Sequence, residues 1–208
     1  MQQTHTLPHA PVLVFDLGGV LVDWNGIDPL MALSQGRLSR EQARQFWLHT
    51  AEVALLDTGR ATPREFAALM ADKLQLGIST DAMLAALDDW LQGPFAGARE
   101  LLQQLGQRYR LAVLSNNNAL HWAKIEREFD LLHYFEACFA SHQIGLRKPD
   151  AAAYRYVQET LQVEAAQIVF FDDNIECVQA ARHAGWLALH TVGLPAVLQA
   201  IQAEGLLD

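Results

Sequence analysis

Cysteine is scarce in this chain and cations are outnumbered. Its 208 residues hold two cysteines, Cys138 and Cys177, which stand 39 positions apart and form no CxxC pair. That excludes a disulfide framework, a zinc ribbon and a dithiol redox centre, and it fits a reducing cytoplasm. The 15 Lys and Arg face 24 Asp and Glu, for a net charge of −9. The resulting field repels phosphate backbones and anionic lipid, so neither nucleic acid nor a membrane is expected as a partner. An anionic ligand would have to be captured by a local cluster of donors. No run reaches the roughly 18 to 20 apolar residues that span a bilayer, since the stretch from Val12 to Val22 is broken by Asp16. The opening MQQTHTLPHAP lacks the Lys or Arg of a secretory leader. A cytoplasmic protein is the expectation, and no pattern in the sequence sets an oligomeric state.

What is present is a foldable core. Hydrophobic residues make up 51% of the chain, with nine Phe, five Trp and four Tyr, while Gly and Pro stay ordinary at 13 and 7. Disorder and low-complexity structure are excluded, and the length suits one large domain or a core with a small insertion. Three short apolar runs end in polar residues: Val12 to Phe15 before Asp16, Leu111 to Leu114 before Ser115, and Ile168 to Phe171 before Asp172. They read as buried parallel strands. Helical spacing follows the second over Ala119 to Phe129 and the third over Ile175 to Ala184. The fold class is therefore α/β, with a Rossmann-like parallel sheet and helices on both faces. In such sheets ligands bind at the carboxyl ends of the strands, where all three polar residues stand.

The stretch from Asn25 to Gly93 has another character. It is rich in Ala and Leu, has no strand-like run, and carries capping-box starts at Ser39-Arg40-Glu41-Gln42 and Thr62-Pro63-Arg64-Glu65, with a third start at Thr80-Asp81. Leu55 to Gly59 reads as a break, and Gln92-Gly93-Pro94 as the return to the main domain. The expectation is a catalytic core of residues 1–24 and 94–208 with a small all-α cap of residues 25–93.

Four elements carry chemistry. Asp16 precedes Leu17-Gly18-Gly19, where an ionised carboxylate can act as nucleophile and the glycines let backbone N–H groups approach an oxyanion, although a turn cap fits equally well. Ser115 and Asn116, at a strand end opening a helix, form an anion site or a turn. Lys148 lies in Arg147-Lys148-Pro149-Asp150, ahead of a helix capped by Asp150. Asp172-Asp173 adds two carboxylates. Gathered with Asp16 in one cleft, like charges about 4 Å apart repel by roughly 4 kcal/mol at an effective dielectric of about 20. One lysine does not balance that, but a hard divalent cation such as Mg2+ does.

In order along the chain, Asp16-Leu17-Gly18-Gly19-Val20, Leu114-Ser115-Asn116-Asn117-Asn118, Arg147-Lys148-Pro149-Asp150 and Phe171-Asp172-Asp173-Asn174 resemble the four motifs of the haloacid dehalogenase superfamily of phosphohydrolases. The resemblance spans the whole chain, including the place of the insertion, and is strongest to the bacterial branch that acts on glucose 1-phosphate. It implies that Asp16 is the nucleophile that becomes an aspartyl phosphate, and that Ser115 and the Asn116 backbone hold the phosphoryl oxygens of a small-molecule phosphate ester. Lys148 would screen charge between Asp16 and phosphate. Mg2+ would be held by Asp16, Asp173 and the Gly18 carbonyl, with Asp172 beside it.

Two departures follow from the same resemblance. Relatives usually carry an acid–base Asp where this chain has Gly18, and general acid–base catalysis contributes about 10² to 10⁴ in rate. The glucose-1-phosphate branch also has Gly there. Cys177 stands where relatives often have Asn. Trp24 and His121 follow motifs closely and are expected to face the substrate, whereas Trp47 and His49 are read as packing residues of the insert. A 2-haloacid dehalogenase shares the nucleophile, Ser-Asn, the Lys and a Tyr at position 154, but the acidic pair Asp172-Asp173 opposes it. A phospho-accepting receiver places its acidic pair first. A family member that binds esters without turnover is the remaining alternative.

Overall fold

A computed structural model describes residues 11–207; the opening segment read above for a leader lies outside the described residues. Each apolar run forms its strand. Along the chain, β1 (Val12–Phe15) and β2 (Val22–Trp24) lead into five helices, α1 (Ile27–Leu33), α2 (Arg40–His49), α3 (Ala51–Asp57), α4 (Pro63–Lys73) and α5 (Thr80–Asp89). β3 (Leu91–Pro94), α6 (Ala98–Leu105), β4 (Arg110–Ser115), α7 (Ala119–Glu128), β5 (Ala137–Ala140) and α8 (Ser141–Ile144) follow. The chain closes with α9 (Ala151–Leu161), β6 (Ile168–Asp172), α10 (Ile175–His183), β7 (Leu187–His190) and α11 (Gly193–Ala203).

Five strands form a parallel sheet in the order β5-β4-β1-β6-β7. Side chains alternate across it with the period of a strand. Leu13, Phe15, Leu111, Val113, Val169 and Phe171 face a core shared with α6, α7 and α11. Val12, Val14, Ala112, Leu114, Ile168 and Phe170 face the opposite core, shared with α9 and α10. Burial on both faces explains why these strands read as continuous apolar runs. Phe15 stacks on Phe171 across neighbouring strands, with ring centroids 4.7 Å apart. β1 is central, so Asp16 emerges mid-sheet, with Ser115 to one side and Asp172 to the other.

The inserted helices bury their own core, built on Leu30, Phe46, Phe66, Met70, Met83 and Trp90. Both expected capping boxes form, with Ser39 and Gln42 bonded reciprocally, and Thr62 and Glu65 likewise. Three details differ from expectation. Leu55 to Asp57 belong to α3, and the break falls only at Thr58 and Gly59, because Val53, Leu56 and Asp57 make a buried helical face. Gln92 to Pro94 is no bare linker, since β3 pairs antiparallel with β2 and the two form a stem between insert and sheet. Asp150 stands at the N-cap of α9 but makes no side-chain capping bond.

Candidate active site

The strand ends open into one cleft of about 290 Å³, closed on its other side by the insert. Asp16, Gly18, Trp24, Ser115, Asn116, His121, Lys148, Asp172 and Asp173 all line it. The fold thus brings these nine candidate residues together, from segments more than 150 positions apart.

Lys148 is the electrostatic centre. It is fully buried, its Nζ lies 2.6 Å from Asp172 Oδ2 and 3.2 Å from Asp16 Oδ1, and it sits over the Phe170 ring. Burial alone would lower its pKa, but the Asp16 and Asp172 carboxylates outweigh that and hold it firmly protonated. Its backbone is fixed by Asn116, whose Oδ1 accepts from Lys148 N and whose Nδ2 donates to the Lys148 carbonyl, both at 2.8 Å. Two motifs far apart in sequence are thereby one rigid unit.

The carboxylates are held unequally. Asp16 Oδ1 accepts from Leu17 N at 2.8 Å. Asp172 has both oxygens engaged, one by Lys148 and the other by Asn174 N at 2.7 Å. No hydrogen bond from another described residue reaches the Asp173 carboxylate. Burial pushes Asp172 up to about 6 against the pull of Lys148, and it pushes Asp173 up to about 7 with the help of Asp16 and Asp172. Oxygens from these three residues lie within 4.8 Å of one another. Three carboxylates with one cation among them suit a hard divalent ion, because its oxygen ligands and double charge supply the missing compensation. Gly19 makes the room: its φ of 75° favours glycine, and a Cβ there would run into the Asp173 carboxylate.

His121 borders the cleft but is not a free substrate-facing group. A carbonyl only accepts, so Nε2 donates to Leu87 O at 2.7 Å, and Nδ1 accepts from Asn118 Nδ2 at 3.2 Å. Burial lowers its pKa. It is a strut between α7 and the insert. Trp24 lines the cleft as expected, and Trp47, read as a packing residue, does both: it meets Trp24 edge-on at 5.5 Å, packs on Phe66, and lines the cleft. His49 reaches the rim, 3.6 Å from Glu176. Cys177 is buried, its thiol pushed upward by burial, and its carbonyl accepts from Tyr154 OH at 2.8 Å.

Two charged cleft residues have no individual role in the sequence reading. Asp57, at the end of α3, and Arg147, before Lys148, form a largely buried ion pair at 3.5 Å. Asp57 shares the buried face of α3 with Val53 and Leu56, a helical spacing that a break at Leu55 to Gly59 conceals.

Comparison with known proteins agrees with this geometry. The chain is similar to a phosphatase of Mycobacterium tuberculosis, 32% identical over 186 residues that cover 85% of this chain and 84% of that one. An (S)-2-haloacid dehalogenase of Pseudomonas sp. is 24% identical over 184 residues, covering 84% and 80%. A haloacid dehalogenase family enzyme of Bacteroides thetaiotaomicron, solved in complex with magnesium and inorganic phosphate, shares the fold with a TM-score of 0.73 at 22% identity over 88% and 94% of the two chains. The sequence profile of the haloacid dehalogenase-like hydrolases matches residues 11–185, and on that match this chain belongs to their family.

Proposed function

We propose that the chain is a Mg2+-dependent phosphomonoesterase acting on a small phosphorylated metabolite, a sugar phosphate such as glucose 1-phosphate. The observation that carries this reading is the convergence of Asp16, Asp172 and Asp173 around one buried lysine at the strand ends. The phosphatase among its relatives and the magnesium and phosphate in a structural neighbour support it.

In this reading residues 1–24 and 94–208 do the chemistry and residues 25–93 cap the cleft, in a cytoplasmic protein. Asp16 Oδ1 is held by Leu17 N and Lys148, which leaves Oδ2 to attack phosphorus and form the aspartyl phosphate. Ser115 and the Asn116 backbone hold the phosphoryl oxygens, while Lys148 neutralises charge as they approach Asp16. Asp173, Asp16 and the Gly18 carbonyl would hold Mg2+, and Asp172 would orient Lys148 beside it. When bound, the ion neutralises the carboxylates and the phosphate as they meet. Trp24 and Trp47 give a sugar ring an aromatic wall.

A second reading of the substrate is favoured by Ile27, Leu48, Val53, Leu56 and Leu91, which also line the cleft: the organic group of the ester is then apolar. Dehalogenation is disfavoured by the acidic pair, which supplies charge that a metal-free halide displacement does not need. The test is release of phosphate from sugar, isoprenoid and aryl phosphates against release of halide from a 2-haloacid, each with Mg2+ and with chelator. Metal-dependent phosphate release supports the reading; halide release indifferent to chelator overturns it.

A further inference from the structure

A phosphoryl group transferred to Asp16 leaves behind an oxygen that must collect a proton, and position 18 has no side chain to give one. Most other cleft groups are committed elsewhere. The His121 Nε2 proton is bonded to Leu87, Lys148 is clamped between two carboxylates, and both Asp172 oxygens accept hydrogen bonds. Asp23 is exposed on β2 and does not line the cleft.

Asp57 differs from all of these. It lines the same cleft as Asp16 yet comes from the insert, the side on which the organic part of an ester would lie. It is 9% exposed, and its carboxyl accepts no hydrogen bond from any described residue. Its ion pair to Arg147 Nη2 is long at 3.5 Å, and Arg147 is itself held toward the Leu48 carbonyl, with its Nε buried and unpartnered. The position is nonetheless fixed. Gly59, with a φ of 69°, turns the chain just after α3 and lies so close to the His142 carbonyl that a Cβ would strike it. The carboxyl is therefore placed by backbone packing and, among the described residues, held by that one long ion pair without a hydrogen bond.

Resting on the phosphomonoesterase reading, we propose that Asp57 is the proton donor to the leaving oxygen, filling from the insert the role that Gly18 leaves vacant. In the first step an Asp16 oxygen bonds to phosphorus as the bond from phosphorus to the organic oxygen breaks. That oxygen keeps the electron pair and takes the Asp57 proton. In the second step the Asp57 carboxylate takes a proton from the water whose oxygen bonds to phosphorus, and the bond to Asp16 breaks with its electron pair returning to the carboxylate. Asp57 ends protonated as it began. Three charged groups act on it: Arg147 and Lys148 from the loop after α8, and Asp16 after β1. Burial outweighs the two cations and pushes Asp57 up to about 7, so a substantial fraction is protonated near neutrality.

The experiment compares the parent, Asp57→Asn and Asp57→Glu, with Mg2+ at saturation, on an alkyl phosphate and on dinitrophenyl phosphate, whose leaving oxygen needs no proton. Asp57→Asn should lose about 10²-fold in kcat/KM on the alkyl ester while kcat/KM on the dinitrophenyl ester stays within about 3-fold, because kcat/KM ends with phosphoryl transfer to Asp16 and leaves out the water step, and Asp57→Glu should recover part of the loss. Equal losses on both esters, or none on either, overturn the proposal. Should Asp57→Asn fail to fold, the parent alone decides: its kcat/KM on the alkyl ester must fall above about pH 7 while that on the dinitrophenyl ester does not. A parallel pH profile for the two esters overturns the proposal. A parent that hydrolyses neither ester defeats the phosphomonoesterase reading itself, which separates the two failures.

Discussion

Asn116 and Lys148, 32 residues apart, exchange two hydrogen bonds of 2.8 Å through one amide side chain. The amide matches a backbone N–H and C=O together, so it fixes where the Lys148 chain begins and therefore where its Nζ ends. Asn116→Ala removes both bonds and leaves every carboxylate in place. With each bond worth about 1 kcal/mol, kcat should fall by roughly tenfold while magnesium affinity holds. Steady-state kinetics beside calorimetric titration check the split.

The hydrogen-bond pattern ranks the two acidic neighbours. Asp172 is saturated by Lys148 and Asn174 N, whereas Asp173 faces the Gly19 backbone without such partners. Asp173→Ala should therefore weaken Mg2+ binding more than Asp172→Ala does. Gly19→Ala, which sets a methyl against the Asp173 carboxylate, should weaken it too. Calorimetry showing equal affinity in the parent and both aspartate variants would contradict the assignment.

Stability should depend on pH in a defined direction. Asp57, Asp172 and Asp173 have pKa values raised from 3.8 to about 7, 6 and 7. A carboxyl with a raised folded pKa contributes stability that is complete below its unfolded value and is lost as pH climbs through the folded one. Lys148 is raised as well, so its contribution stays intact over this window. The metal-free protein should thus lose Tm between about pH 5 and about pH 8, and Asp173→Asn should lose less. Added Mg2+ should raise Tm by at least about 2 °C more at the upper pH than at the lower, since it binds the ionised cluster. Thermal scans of both proteins check this.

Gly18 offers a complementary test. A Cβ there would meet Trp24 Cβ at 3.5 Å, an ordinary contact, so the position accommodates a Cβ. Gly18→Asp should restore turnover on alkyl esters to an Asp57→Asn protein by roughly 10²-fold, with a smaller gain in the parent, where Asp57 already serves. A gain of the same size in both backgrounds, read from kcat, would show that the two carboxyls do not share a role.

How much of this was legible depended on how locally each feature is encoded. β1, β4 and β6 are buried on both faces and showed as apolar runs, whereas the edge strands β5 and β7, with sequences ACFA and LALH and partly exposed, did not. Capping boxes are contiguous in sequence and were readable. The site residues were legible because strand ends in a parallel sheet converge whatever the loops do. Asp57 was not, because its place in the cleft depends on how α3 packs against α8, a contact between distant segments. His121 lines the cleft as expected, but nothing near it in sequence announces the Leu87 carbonyl that takes its Nε2 proton.

The central claim is that Asp16 carries the phosphoryl group. The protein is turned over with Mg2+ and a hydrolysed ester, quenched in acid and digested, and the peptide containing Asp16 is weighed. The account predicts a phosphoryl group on Asp16, absent with chelator and absent, along with turnover, in Asp16→Asn. Phosphate release that continues in Asp16→Asn, with no phosphoryl group on that peptide in the parent, would contradict it.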